Sequence, residues 1–401
     1  MNRDKYIHLE EASKMLNRRR KMLFRPVGKF LRKGSPLETC IHIVKKCYDA
    51  ENGFFKTSAG HFSSFYIRDF SWCIEPLINL GFTDECRNTL RWAVSAYLSE
   101  DRVTTCITKR KQCFDFPGFG ADSLPSLLYC IYTAGLTPQD CNWDFLRKTA
   151  CSYLDRVYDP ATGWMRGNVS KSSIRDHRIK DGSCYDACMF YMFVHYAEKL
   201  NLGLTLPLTD EEVSYKIKKR FINSSGCFTE YVCDRVSGGK ITGVSSVFPF
   251  WTKVVEDRAH WIMTSSIVNA HGLVDPFPMR FEKKYIPGKF SIYRFFAPNY
   301  QGNTVWLHIG LLYCRIQLRY NPGEFKRSFE PVYNLIKKYK TVIEVYRPGK
   351  TWDTSVPYKS LFYVSDIDML WASIAAELMM SYTGAAGEKN CVLHATCDAV
   401  M

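Results

Sequence analysis

The sequence lacks several features that would each have assigned a class at once. No apolar run reaches the 18 residues or so that a membrane span requires, and the opening stretch "MNRDKYIHLEEASKMLNRRRKMLF" is charged throughout, where a secretion signal needs an unbroken apolar core. The expectation is a soluble, cytoplasmic protein with no membrane insertion. CxxC spacings are missing from its 16 cysteines, of which the closest pair, Cys184 and Cys188, sits one helical turn apart. Without ligand-spaced Cys/His pairs the sequence argues against a zinc site, and reduced, mostly buried thiols are the reading, with disulfides left open for a hyperthermophilic source. Low-complexity segments and long linkers are absent, which leaves a basic N-terminal arm over residues 1–33, one continuous domain over 34–385 and a tail over 386–401. Acidic side chains are in deficit, 40 against 54 basic ones, for a formal charge of +14. The basic residues are densest at "NRRRK" and "KKYIPGK", but no nucleic-acid motif surrounds them and the aromatics are dispersed, so a solvated basic surface fits the charge better than nucleic acid does, with an anionic substrate or a membrane surface as further alternatives.

What is present is apolar and aromatic. Hydrophobic residues make up 46% and aromatic ones 15%, against 23% charged, which describes a folded protein with a large core and rings to spare for a pocket. Periodicity predicts helices over 36–49 (Ser35 as N-cap), 69–80, 84–99, 123–134, 142–158, 183–200, 209–220, 256–270, 303–318, 323–339 and 366–383. Some are apolar on more than one face, such as "ACMFYMFVHYAEKL" and "TVWLHIGLLYCRI", and belong inside. Others, such as "EEVSYKIKKRF" and "FKRSFEPVYNLIKKYK", are amphipathic and suit an outer layer. About a dozen helices in two layers point to an all-α fold, a toroid of paired inner and outer helices. Short segments including "FTEYVCDRVSGGKITGVS" read as a β-hairpin or irregular strands on one rim.

Four clusters join acids to aromatics and glycine at helix or loop edges: "FYIRDFSW" (65–72), "GFGADSLPSLLY" (118–129), "YQGNTVWLHIG" (300–310) and "VIEVYRPGKTW" (342–352). Aromatic faces stack on the apolar side of a sugar ring while carboxylates, Arg, Asn and Gln bond its hydroxyls, so such clusters suit a carbohydrate pocket. Glycoside hydrolysis needs two carboxyls, one to protonate the leaving oxygen and one to activate water or attack the anomeric carbon. Asp122 and Glu344 are the candidates. Each also has a plain reading: Asp122 as the N-cap of the following helix, Glu344 as a surface acid on a short strand, and the Arg-Asp of "FYIRDFSW" as a structural ion pair.

Taken in order along residues 36–383, these clusters resemble the six-hairpin glycosidases, especially the alkaline/neutral invertases and the related processing and glycogen-debranching glucosidases. "FYIRDF" looks like their early RDF motif, "ADSLPSLLYCIY" like the segment carrying their general acid (with Leu127 and Leu128 where tryptophans are usual), "GNTVW" like a later GN.VW motif, and "IEVYRPGKTW" followed by "YVSDIDMLWASIAAEL" like the segment carrying their base. The resemblance implies an (α/α)6 toroid and an inverting glycoside hydrolase with a carbohydrate substrate and no cofactor or metal. Asp122 would be the acid, raised by burial, and Glu344 the base, kept ionised about 6.5–9.5 Å away. It further implies that Asp69 holds sugar hydroxyls; Tyr66, Arg68, Trp72, Asn303 and Trp306 in the same motifs, and Arg166, Asp181, Asp186, Gln301 and Trp352 from their polar or aromatic settings, are the remaining substrate-binding candidates, with N-capping the plain reading for one of Asp181 and Asp186. The rival readings are a toroid-fold glycan lyase, phosphorylase or epimerase, and a non-catalytic carbohydrate- or nucleic-acid-binding protein.

Overall fold

A computed structural model describes residues 3–21, 34–116, 118–167, 174, 182–232, 239–283 and 297–384. After α1 (Arg3–Lys21) the chain runs through six helical hairpins: α2 (Pro36–Cys47) with α3 (Ile67–Asn79), α4 (Thr83–Ser99) with α5 (Ser123–Thr133), α6 (Trp143–Val157) with α7 (Cys184–Lys199), α8 (Asp210–Phe221) with α9 (Gly243–Trp251), α10 (Arg258–Ala270) with α11 (Leu307–Tyr320), and α12 (Pro322–Tyr339) with α13 (Ala372–Thr383). The second helix of each hairpin packs against the second helix of the next: α3 on α5, α5 on α7, α7 on α9, α9 on α11, α11 on α13, and α13 back on α3. The ring is therefore closed. The first helix of each hairpin lies outside it.

Sequence sorts the helices into the two layers. Along α5 every residue from Ser123 to Ile131 is buried, and in α7 every residue from Cys184 to Val194, as inner helices with neighbours on both sides must be. Outer α8 buries only Val213, Ile217 and Phe221, one stripe at four-residue spacing, and exposes its charges. Capping boxes start α2 (Ser35 with Glu38) and α8 (Thr209 with Glu212), each worth about 1 kcal/mol.

The two rims differ. Connections from an inner helix to the next outer helix are short: 80–82, 134–142, 200–209, 252–257 and the single residue 321. Connections from outer to inner are long and carry, among the described residues, ten short strands, all antiparallel. β1 (Tyr48–Asp49) pairs with β2 (Phe54–Phe55), β3 (Phe65–Tyr66) with β4 (Cys106–Ile107) and β4 with β5 (Cys113–Phe114). β6 (Tyr158–Asp159) pairs with β7 (Trp164–Met165), and β8 (Val305–Trp306) with β9 (Val345–Arg347), which also pairs with β10 (Val356–Pro357). All the long loops thus gather at the N-terminal ends of the inner helices.

Three expectations are corrected. Over 228–245, of which 233–238 lie outside the described residues, no strand forms among the described residues although the Glu230 amide donates to the Lys240 carbonyl (2.8 Å), and Gly243–Ser245 belong to α9. That helix escaped the sequence because nine residues buried almost throughout, with Pro249 inside, leave no amphipathic period to see. Residues 366–371 precede α13 instead of belonging to it, because the left-handed backbone at Asp368 (φ 54°) interrupts a helix there. The helix expected from 303 begins at Leu307, after Val305 and Trp306 are taken up by β8. The N-terminal arm contains α1, which docks on the long-loop rim: Ile7 packs with Cys106 and Phe114, Ser64 Oγ donates to Glu11 (3.1 Å), and Arg19 Nε donates to the Ser360 carbonyl (2.9 Å). No described helix is long and apolar enough to cross a membrane, and of the described cysteines all but Cys151 are buried free thiols.

Gly310 tests how tightly the inner ring is filled. A Cβ there would lie 2.2 Å from the Pro278 carbonyl oxygen, backbone against backbone. Gly310→Ala is expected to lower unfolding free energy by roughly 1–3 kcal/mol, as overpacking does, measured by denaturant titration.

Candidate active site

Asp122 occupies the N-cap position of α5 but makes no side-chain cap. Its carboxylate instead faces the ring: Arg68, the second residue of α3, donates to it through Nε and, at 3.3 Å, through Nη2, and the Tyr185 hydroxyl of α7 donates at 2.7 Å. Both partners sit one or two residues inside a neighbouring inner helix, so ring closure alone brings the three side chains together. Asp122 and Arg68 are both buried. The Arg68 guanidinium thus pairs with Asp122, and its sequence neighbour Asp69 accepts from Trp371 Nε1 at 3.1 Å.

Glu344 stands just before β9, where its carbonyl accepts from the Leu307 amide at the start of α11. Tyr300 and Tyr363 donate their hydroxyls to its carboxyl, the latter at 2.6 Å, and the Asp366 amide donates at 2.9 Å. Burial is the largest influence and raises the Glu344 carboxyl to about 7, aided by the Asp366 charge and opposed by the three donors. This differs from the ionised base expected from the sequence: near neutral pH Glu344 is poised between its two forms. Asp366 itself is fully buried and accepts from Arg18, Ser58 and the amides of His61 and Phe62. Burial works to raise it, yet it is held below the ordinary range. Burial also pushes His61 down to about 4, so at neutral pH the opposing charge is the guanidinium of Arg18.

A run of contacts leads along the rim from Glu344 to His308, which feels the charge of Arg68. His308, second residue of α11, stacks on Trp72 (centroids 4.5 Å, planes 2° apart) and meets Trp306 edge-on at 5.3 Å. Trp306 in turn contacts Tyr300 at 4.7 Å, and Tyr300 holds Glu344. At the other end the Arg68 charge, together with burial as the larger cause, drives the His308 pKa well down, so the imidazole is neutral. Neither ring nitrogen of His308 has a hydrogen-bond partner among the described residues.

The remaining candidates fall in different places. Tyr66, at the N-cap of α3, packs beside Cys106, Phe116 and Phe62. Asp186 closes a capping box on Ser183, accepting from Ser183 N (3.2 Å) and Oγ (2.8 Å). Gln301 Nε2 donates to the Ile174 carbonyl at 3.2 Å, Asn303 accepts from Asn299, and Trp306 Nε1 donates to the Tyr300 carbonyl at 2.8 Å. Arg166 follows β7 and is half-buried, its amide donating to the Val157 carbonyl; Trp352 is half-buried in the loop between β9 and β10. Asp181 lies outside the described residues. Sequence reasoning missed Tyr185, Tyr300 and Tyr363 as partners of the two acids. Tyrosine spacing carried no signal for them, since each meets its acid only through the fold.

No family model matches the sequence, and no curated protein matches it. Solved structures do. A glycosidase in complex with glucose superposes with a TM-score of 0.60 at 13% identity, over 87% of this chain and 97% of its own. A rhamnosidase from Klebsiella oxytoca with rhamnose bound gives 0.57 at 11% identity, over 89% of this chain and 66% of that one. The architecture is that of the toroid glycosidases. A GH63 mannosylglycerate hydrolase from Thermus thermophilus, in complex with Tris and D-glycerate, gives 0.52 at 11% identity, over 86% of this chain and all of that one. At such identities what is shared is the fold, and the residue roles have to be argued from this toroid's own rim.

The raised Glu344 has a consequence for stability. Its folded value of about 7 lies above the ordinary 4.5, so the folded state holds this proton more tightly than the unfolded state does. The stability tied to it is present below the unfolded value and lost as pH rises toward the folded one. Glu344→Gln, which cannot ionise, is expected to be more stable than the native protein above pH 7 by roughly 3 kcal/mol, with the gap closing near about pH 4. Denaturant titrations at both ends of that window check it.

Proposed function

We propose that this protein is a glycoside hydrolase that cleaves a small glycoside or oligosaccharide with inversion, using Asp122 and Glu344 as its carboxyl pair. The observation that carries the reading is the pair of buried acids on one rim, Asp122 held by Arg68 and Tyr185 and Glu344 by Tyr300 and Tyr363, in an architecture shared with sugar-bound glycosidases. Glu344 acts as the base. A carboxyl near 7 serves that role well, because proton transfer is most efficient when the base's pKa matches the working pH. Tyr300 and Tyr363 hold its oxygens in place. Asp122 acts as proton donor, and in this reading Arg68 turns from it to the sugar as substrate enters, leaving the carboxyl in a desolvated wall between Tyr185 and the incoming ring.

Asp69, Trp72, Trp306 and the unpartnered nitrogens of His308 offer the aromatic faces and polar atoms that a sugar ring needs. Within the class, the formal charge of +14 favours an acidic glycoside, as does the fold shared with a mannosylglycerate hydrolase; the motif resemblance to invertases makes sucrose the alternative. Reduced, buried thiols suit a cytoplasmic setting.

Assay against a panel of disaccharides and glycosyl-glycerates tests the class. With Glu344 as base, log(kcat/KM) is expected to rise with unit slope up to about pH 7 and then level; a fall beginning there instead would make Glu344 the acid. Glu344→Gln is expected to lower kcat by about 10²–10⁴-fold, whereas phosphorolysis that survived it would point to a phosphorylase. Asp122→Asn is expected to lose a similar factor on ordinary glycosides and far less on a glycosyl fluoride, whose leaving group needs no proton. Equal loss on both substrates would remove Asp122 from the donor role.

A further inference from the structure

The other rim of the toroid has a cavity of its own. Its volume is about 450 Å³, within the roughly 300–1,000 Å³ range of small-molecule sites. Residues from all six inner helices line it, each contributed by the half of the helix away from Asp122 and Glu344: Tyr129 in α5, where Asp122 precedes the first turn, and Arg315 in α11, where His308 is the second residue.

Its chemistry divides into two faces. On one, the Arg315 guanidinium is forked between two carboxylates, with Nε to Glu377 at 2.7 Å, Nη2 to the second oxygen of Glu377 at 3.2 Å and Nη1 to Glu75 at 3.2 Å; Asn79 Nδ2 adds a bond to Glu377 at 2.6 Å. With one guanidinium against two carboxylates the cluster keeps a single negative charge in excess and presents charge-strengthened hydrogen-bonding atoms in fixed directions. On the other face Tyr129 meets Tyr196 at 5.2 Å and Trp251 at 5.7 Å, the second pair nearly perpendicular, with Met192 and Met380 alongside. Aromatic rings beside a fixed set of donors and acceptors match a pyranose, whose C–H face stacks on rings while its equatorial hydroxyls take paired hydrogen bonds.

We propose that this cavity is a second carbohydrate site, which takes a neutral saccharide of one or two rings and is separate from the carboxyl pair on the long-loop rim. It stands whether or not that rim hydrolyses glycosides.

The probe is methyl α-D-glucopyranoside, and sucrose in a second series, added to the full chain with its 12 methionine methyls labelled with ¹³C. The Met192 and Met380 methyls, assigned through Met→Leu variants, are expected to shift saturably with a dissociation constant on the order of millimolar. Ser381→Trp, an exposed position on the cavity lining, is expected to abolish both shifts and leave the other methyl signals in place, which also shows that the variant is folded. Trp251→Ala is expected to weaken the binding at least tenfold. The proposal is overturned if neither methyl moves with either sugar, if the shifts persist in Ser381→Trp, or if inorganic phosphate or tetramethylammonium produces them and the sugars do not.

Discussion

Closure of the inner ring is the constraint from which the rest follows. Helices such as α5 and α7 are apolar nearly all round and cannot be stable with any face in water. Five hairpins in a row would leave α3 and α11 with open flanks; the sixth supplies α13, which packs on both neighbours and completes the ring. Since inner helices must run parallel for outer ones to return between them, all inner N-termini collect on one rim. Loop length follows the same division: connections on one rim span one to ten residues, while the other collects the strands and nearly every side chain singled out for chemistry.

Three of the acids buried on that rim are each treated differently. Asp122 is matched by a guanidinium and a tyrosine, Asp366 by Arg18 from α1 and a set of backbone amides, and Glu344 by neutral hydroxyls and one amide. Only Glu344 lacks a cationic partner among these bonds, and it is the one that burial lifts to about 7. The Asp366 charge beside it adds to that rise, so Arg18, in a helix outside the toroid, acts on Glu344 at one remove through the carboxylate it neutralises.

The opposite rim solves a related problem by other means. Six helix C-termini bring carbonyl dipoles of one sign together, and Glu75 and Glu377 add to them. Arg315, from the only inner helix that carries an arginine at that depth among the lining residues, offsets this locally and holds the two carboxylates in place. The two ends of the same bundle are thus unlike in both charge and loop length.

Local sequence determined the helices, their sorting into two layers and the toroid itself, because amphipathic stripes, capping boxes and all-apolar runs are properties of a few adjacent residues. It also singled out Asp122 and Glu344, as acids beside glycine and aromatics. It failed where a short buried run has no period, as in α9, and where a loop interrupts a helical pattern, as at Asp368. Only the tertiary structure decided which partners the acids have: Asp122 is not the cap its position suggested, Arg68 reaches it from the neighbouring inner helix, and Glu344 rests among tyrosines from two other segments. Burial and partnership depend on residues distant in the chain, and a carboxyl's charge state is set by those two things, so no reading of neighbouring letters could have supplied it.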